Sequence, residues 1–132
     1  MADPTWLTNM DTALQQAKSE HKFILLNFSG SDWCGPCIRM HKEVFSTEGF
    51  QQVAERKLVM VKADFPRMKK NQLPASQQKT NEALAERYNP NGTFPLTLLL
   101  DENGKVISAW EGFYSGGAAA FSAAIDQLTL KR

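Results

Sequence analysis

Residues 29–45 read SGSDWCGPCIRMHKEVF and contain both cysteines of the chain, Cys34 and Cys37, with a glycine and a proline between them. Two thiols at this spacing could form a structural cross-link, bind a metal ion or carry out redox chemistry. A bridge between them would close a very short loop and would therefore constrain the unfolded chain little. A metal site usually has four ligands, and the other candidates are His21, His41 and the acids. The pattern therefore favours a redox pair over the two alternatives.

The motif follows an apolar run at residues 23–28 and opens a segment with helical periodicity. The run FILLNF is apolar on both faces, which is typical of a buried central strand. One stripe of the following helix is apolar, and we expect it to face the core. That stripe consists of Cys37, Ile38, His41, Val44 and Phe45. The motif is thus predicted to lie where a strand passes into a helix.

The other segments alternate between helix and strand patterns. A first helix is predicted to begin at Asp3–Pro4 and to include Trp6 and Leu7. Strands are predicted at 58–63, 96–100 and 106–110, the last two as a β-hairpin, and later helices at 76–88 and 121–128. This order predicts an α/β fold with a central four-stranded mixed β-sheet and helices on both faces. The length fits one domain over residues 1–132.

The bulk composition excludes several classes of function. The net charge of +1 gives no bulk attraction to nucleic acid or to an anionic membrane. No apolar run approaches the ~20 residues that cross a bilayer. The start MADPTW lacks the regions of a signal peptide, which fits a cytosolic protein or a mature domain whose leader was replaced. We expect no nucleic-acid partner and no membrane insertion, and a monomer because no segment codes for dimerisation.

Three features together make the chain resemble the thioredoxin superfamily. They are the run from Trp33 to Cys37, the Phe94-Pro95 pair directly before the hairpin, and the order of elements from Lys22 to Leu130. More narrowly, SGSDWC and Val44-Phe45 are similar to exported bacterial thioredoxin-like proteins and the soluble thiol domain of the periplasmic disulfide-bond reductase system. The resemblance implies a thioredoxin fold, protein thiol–disulfide exchange and a periplasmic or exported location, with the cytoplasm as the alternative.

The chemistry expected of the motif follows from its place at a helix start. Unpaired N–H groups and the helix dipole there stabilise a thiolate and lower the pKa of Cys34, which we interpret as the nucleophile. Cys37, one turn on, is interpreted as the resolving thiol. Gly35 allows a close approach and Pro36 stiffens the first turn. Trp33 is expected to lie beside Cys34 and shield it, and its interpretation as an ordinary core tryptophan is compatible with that role.

A substrate platform is implied by the resemblance. In the family the matching Pro95 is cis and faces the disulfide, and the backbone of Phe94 binds an extended substrate by strand addition. The alternative is an ordinary strand-edge proline. Gly112 matches a glycine near the docking groove, or is a simple turn glycine.

The chain departs from the family where a buried acid usually assists the resolving cysteine. Asn27 is the best match to that acid and cannot act as a general base. Lys62 matches the lysine that usually pairs with it, and is expected to extend to solvent or to hydrogen-bond Asn27. His41, one turn after Cys37, is a candidate for part of the proton handling because its pKa is near neutral. The alternative is a core histidine with a satisfied hydrogen bond.

The sequence therefore predicts a disulfide reductase or electron carrier whose redox group is the Cys34–Cys37 pair, with no other cofactor and no metal. Its partners would be protein disulfide substrates and a redox partner protein. A periplasmic isomerase or oxidase, or a non-catalytic thioredoxin-fold adaptor or chaperone, remains as the alternative. The basic cluster from Arg67 to Lys70 is either a solvated loop or a contact for an acidic partner.

Overall fold

The computed structural model describes residues 6–130 and contains a five-stranded mixed β-sheet between two layers of helices. The strands are β1 (Trp6–Leu7), β2 (Phe23–Ser29), β3 (Leu58–Asp64), β4 (Leu96–Leu100) and β5 (Val106–Glu111). Their order across the sheet is β1-β3-β2-β4-β5. Strands β1, β3 and β2 run parallel, whereas β4 pairs antiparallel with both β2 and β5. The predicted fold class and the predicted hairpin are confirmed.

Helices cover both faces of this sheet. They are α1 (Met10–Glu20), α2 (Gly35–Met40), α3 (Glu48–Lys57), α4 (Ala75–Tyr88) and α5 (Ala118–Leu128), and a π-helical turn, His41–Phe45, continues α2 without a break. Helices α1 and α4 pack on one face, and α2, α3 and α5 pack on the other. Within the part of the chain that the structure describes, no helix combines the length and the apolar character needed to cross a membrane.

The N-terminal segment corrects one prediction. Trp6 and Leu7 do not belong to the first helix but form β1, which pairs with β3 and raises the strand count from the predicted four to five. Helix α1 begins at Met10, where the side chain of Asn9 accepts a hydrogen bond of 3.1 Å from the Thr12 N–H. Asparagine is among the best N-cap residues, so the helix starts there. The predicted start at Asp3–Pro4 lies outside the described residues.

Strand β2 lies at the centre of the sheet, and all seven of its residues are buried. Its alternate side chains enter the two cores, Phe23 and Leu25 on the side of α3 and α5, and Ile24 and Leu26 on the side of α1. The strand reads as an unbroken apolar run because both of its faces are covered. At its carboxyl end the chain turns into the segment that carries the cysteines.

Candidate active site

Cys34 and Cys37 are joined by a disulfide at the junction between β2 and α2. Cys34 is the N-cap of α2, and the Cys37 N–H lies 3.2 Å from its sulfur. The Gly30 N–H lies 3.4 Å from the sulfur of Cys37. The exposed fractions are only 5% for Cys34 and 3% for Cys37. The two sulfurs are therefore shielded from bulk water, and each has a backbone N–H close to it.

The described range 6–130 contains no cluster of three or more His, Cys, Asp or Glu side chains suited to a metal ion. The redox centre is the Cys34–Cys37 disulfide.

The turn before the disulfide is built around Gly30 and Trp33. The N–H groups of Trp33 and Cys34 donate to the carbonyl oxygen of Gly30 at 3.3 and 2.9 Å. The indole of Trp33 lies so close to Gly30 that a Cβ atom there would collide with it. The indole N–H donates to the carbonyl oxygen of Phe65 at 2.7 Å. Trp33 is half-buried and directly precedes Cys34.

Asp32 connects this turn to the segment that follows β3. Its carboxylate accepts hydrogen bonds from the N–H groups of Arg67 and Met68, at 2.9 and 3.0 Å, and from the side chain of Asn71 at 2.9 Å. These hydrogen bonds hold the pKa of Asp32 below its usual range, and the bond from the Arg67 N–H has the largest effect. The sequence alone does not distinguish Asp32 from other exposed acids, because the backbone groups that it binds belong to a distant loop.

The same loop also contacts the motif through Arg67. Its guanidinium carbon lies 3.6 Å from the centre of the Trp33 ring, a cation–π contact. The loop that contains the basic cluster from Arg67 to Lys70 is thus fastened to the turn beside Cys34.

The Phe94-Pro95 peptide bond is cis, as the resemblance implies. Because Phe28 of β2 pairs with Leu96 of β4, Pro95 lies at the end of the sheet where the cysteine segment begins. The Gly112 N–H donates to the Pro95 carbonyl oxygen at 2.8 Å, and the positive φ of 76° at Gly112 suits glycine. The structure therefore brings Pro95 and Gly112 together.

Phe94 belongs to an aromatic group at the same end of the sheet. Its ring packs edge-to-face against both Trp33 and Phe65, with ring centres 5.5 Å apart in each pair. These contacts join the residue before the cis-proline to the residue before Cys34.

Asn27, which the resemblance matches to the family's buried acid, lies in the centre of the sheet. It is 3% exposed, pairs in register with Lys62 on one side and Thr97 on the other, and donates to the Thr97 hydroxyl at 3.0 Å. The ammonium of the partly buried Lys62 lies 4.7 Å from the ring centre of Trp6. That contact could not be foreseen from a sequence in which Trp6 was assigned to a helix.

Helix α2 differs in detail from the predicted stripe. The buried side chains of α2 and the following π-helical turn are Cys37, Met40, Val44 and Phe45, whereas Ile38 is 48% exposed. Met40 is apolar enough to take the inward position, and Ile38 lies about 100° around the helix from Cys37.

His41 is partly buried and begins the π-helical turn, and its backbone N–H bonds the carbonyl oxygens of Cys37 and Ile38. The structure thus connects His41 to the cysteine segment through the backbone. π-helical turns of this kind are frequent at functional sites.

Comparison with known proteins agrees with this arrangement. The chain is 39% identical over 109 residues to the disulfide bond reductase DsbH of Chlamydia pneumoniae, a match covering 83% of this chain and 63% of that protein. It is 31% identical over 102 residues to the thioredoxin-related protein DsbJ of the same organism, covering 77% of this chain and 28% of that one. The chain therefore spans less than two thirds of the length of each relative.

A solved structure of a DsbH oxidoreductase has a TM-score of 0.87 to this chain at 34% identity, covering 99% of this chain and 88% of that one. The family model of the thioredoxin-like domain matches residues 10–129, which include both cysteines and the cis-proline. The chain therefore belongs to the family of thioredoxin-like domains.

Proposed function

We propose that this protein is a thiol–disulfide oxidoreductase, acting as a disulfide reductase or electron carrier through Cys34 and Cys37. The observation that carries the proposal is the disulfide itself, which closes a Cys-Gly-Pro-Cys turn at the start of a helix. It joins residues only three apart, so it adds little as a structural cross-link. The names of DsbH and DsbJ, a disulfide bond reductase and a thioredoxin-related protein, support the same class of reaction.

In the proposed cycle the reduced protein begins with a thiolate at Cys34. This thiolate attacks one sulfur of a substrate disulfide, the substrate S–S bond breaks, and the departing substrate thiolate takes up a proton from solvent. Cys37 then loses its proton and attacks the sulfur of Cys34, which releases the second substrate thiol. The substrate gains two electrons and two protons, and the enzyme becomes the disulfide seen here. A dithiol of a redox partner protein would reduce it again, so the cycle uses no bound cofactor or metal.

The contacts around the disulfide suit these steps. The Cys37 N–H, 3.2 Å from the Cys34 sulfur, would stabilise negative charge there during attack and release. Gly35 and Pro36 form the first turn of α2 and are exposed, so a partner can approach Cys34 from their side.

We assign substrate binding to the edge formed by Phe94, Pro95 and Gly112. An extended segment of the substrate would pair with the backbone of Phe94 and place its sulfur near Cys34. Trp33 would cover one side of the mixed disulfide.

We assign proton handling at Cys37 to His41, with Asn27 and Lys62 as modulating residues. The Asn27 amide has no useful proton affinity, and its hydrogen bond to Thr97 fixes its orientation. An imidazole can exchange protons near neutral pH, and His41 is one helical turn from Cys37.

For residues 1–132 we propose a single thioredoxin-like domain that acts as a monomer in the periplasm or another exported location. Its partners would be protein disulfides and a redox protein that restores the dithiol. No role for nucleic acid enters this proposal.

Reduction of insulin disulfides by dithiothreitol tests the activity. We expect the wild-type protein to accelerate insulin precipitation and Cys34→Ser to abolish the acceleration. A non-catalytic adaptor would instead bind substrate equally well with Cys34→Ser and accelerate nothing.

The reduction potential of the Cys34–Cys37 couple, measured in dithiothreitol and glutathione buffers, tests the direction. A value near about −270 mV, as in thioredoxin, supports a reductase or electron carrier. A value above about −180 mV, the range of isomerases and oxidants, would replace that assignment.

A further inference from the structure

A surface depression of about 590 Å³ lies directly beside the cysteine segment. Its lining residues come from the cysteine turn, from the loop after β3 and from the approach to the cis-proline. They are Trp33, Phe65, Pro66, Arg67, Gly92 and Phe94. Because Trp33 precedes Cys34 and Phe94 precedes Pro95, the depression adjoins both the cysteine segment and the cis-proline.

Arg67 gives the depression a positively charged wall in a fixed place. Its guanidinium is stacked 3.6 Å from the centre of the Trp33 ring, and its backbone N–H is bound to Asp32. The same carboxylate also accepts a hydrogen bond from the Met68 N–H, so Asp32 anchors the backbone at two consecutive residues. A guanidinium stacked by its face keeps the N–H groups at its edge available for a carboxylate.

No carboxylate within residues 6–130 forms an ion pair with the Arg67 guanidinium. Two acids near this loop, Asp32 and Asp64, are already engaged. Asp32 binds the loop backbone, and Asp64 accepts hydrogen bonds from the N–H and hydroxyl of Ser31 at 2.9 and 2.6 Å. The exposed Lys69 and Lys70 add positive charge to the same loop.

We propose that Arg67 forms a subsite for an acidic side chain next to the reacting cysteine of the substrate. The inference rests on the proposed function and adds a substrate preference to it. A substrate strand on the Phe94 backbone brings the neighbours of its cysteine onto Trp33 and Phe94, where the guanidinium edge meets a carboxylate. Glutamate or aspartate is therefore favoured at that position over a neutral or basic residue.

Peptide mixed disulfides with 2-nitro-5-thiobenzoate provide a direct test. Two sets of three peptides are used. In one set the residue before the cysteine is Glu, Gln or Lys, and in the other set the residue after the cysteine is varied in the same way. Attack of reduced Cys34 on the peptide sulfur releases coloured nitrothiobenzoate, which gives the second-order rate constant. At low salt we expect the wild-type rate to be about two- to fivefold higher for Glu than for Gln in at least one set, and lowest for Lys.

Variants identify the residue responsible for the preference. Arg67→Gln is expected to remove the difference in rate between the Glu, Gln and Lys peptides. Arg67→Lys is expected to keep part of the preference, because it keeps the charge and loses the planar fork. Lys79→Gln, an exposed lysine on α4 outside the depression, serves as the charge control and should change nothing.

The outcomes separate the subsite from the activity. A wild-type protein that reacts equally with all peptides, or an Arg67→Gln variant that slows all of them by one factor, overturns the subsite alone. The second result would mean that Arg67 acts on the Cys34 thiolate itself. A wild-type protein that releases nitrothiobenzoate no faster than Cys34→Ser overturns the proposed function and the subsite together.

Discussion

Gly30 sets the shape of the turn before the disulfide because it leaves room for the ring of Trp33. A Cβ atom at this position would overlap the indole, whereas a Cβ at Gly49 in α3 would meet nothing within 4 Å. The position of Trp33 therefore depends on the absence of a side chain at residue 30. The hydrogen bond from the indole N–H to the Phe65 carbonyl oxygen depends on it as well.

The first prediction concerns Gly30→Ala. We expect the free energy of unfolding to fall by about 1–3 kcal/mol, because the indole must move or the backbone must shift. Urea denaturation measures the change, and Trp fluorescence reports the displaced indole. Gly49→Ala is the matched control, expected to leave stability unchanged or raise it by up to about 1 kcal/mol. Equal effects of the two variants would show that the crowding at Gly30 does not matter.

The second prediction concerns His41→Ala. If His41 handles the proton of Cys37, His41→Ala changes the pH–rate profile of disulfide reduction while Cys34 still forms the mixed disulfide. The chain's other histidine, His21, is exposed at the C-cap of α1, and His21→Ala provides the control. An unchanged profile in His41→Ala would leave His41 with a purely structural role.

Some features of single residues could be predicted from the sequence, and others could not. The pairing of Cys34 with Cys37 and the cis bond before Pro95 follow from a motif with few alternatives. The inward position of Met40 instead of Ile38 does not, because both are apolar and either fits a helical stripe. The contacts of Asp32 could not be predicted either, because its carboxylate binds backbone N–H groups that are 35 and 36 residues away in the sequence.

At the scale of elements, the loop around residues 66–71 has a defined position although it contains only one short 3₁₀ turn, Lys69–Asn71. Asp32 binds it at three points, and Arg67 stacks on Trp33. A polar, basic sequence gave no reason to expect this order, because such segments are usually solvated. The strands, by contrast, could be predicted closely, since burial on both faces gives a continuous apolar run.

The third prediction concerns Asp32→Asn, which keeps the shape and removes the charge. We expect faster amide hydrogen exchange at Arg67 and Met68, measured by NMR, with little change in the central strands. Because the folded-state pKa of Asp32 is lowered, the carboxylate stabilises the loop fully above the unfolded value of about 3.9 and loses this effect as pH falls through the lower folded value.

The wild-type protection factors at Arg67 and Met68 should therefore be constant from pH 5 to 8 and should fall only in acid. In Asp32→Asn they should be low at every pH. Protection that is equal in the two proteins would mean that the loop is held without the carboxylate.

At the scale of the whole molecule, the sheet topology places the redox centre. The central strand β2 ends at the cysteine segment, its antiparallel neighbour β4 begins just after Pro95, and β3 ends just before the Arg67 loop. Three distant parts of the sequence thus meet at one end of the sheet. The order of elements predicted the mixed sheet, its hairpin and the place of the cysteines between a strand and a helix. The fifth strand was missed because two residues carry too little periodicity to separate strand from helix.

The fourth prediction concerns the effect of the disulfide on the whole fold. Reduction should lower the free energy of unfolding by no more than about 2 kcal/mol, because the bridge closes a loop of four residues. Urea denaturation with and without dithiothreitol measures the difference, and Cys34→Ser/Cys37→Ser controls for side effects of the reductant. A loss of more than about 4 kcal/mol would identify the bridge as a structural cross-link.

Trapping of the mixed disulfide tests the central claim most directly, namely that Cys34 attacks and Cys37 resolves. Reduced Cys37→Ala and Cys34→Ala are each mixed with a peptide disulfide and analysed by intact-mass spectrometry. We expect Cys37→Ala to gain the mass of one peptide thiol, bound to Cys34, and Cys34→Ala to remain unmodified at the same time point. An adduct that forms first on Cys37, or on neither cysteine, would contradict the account.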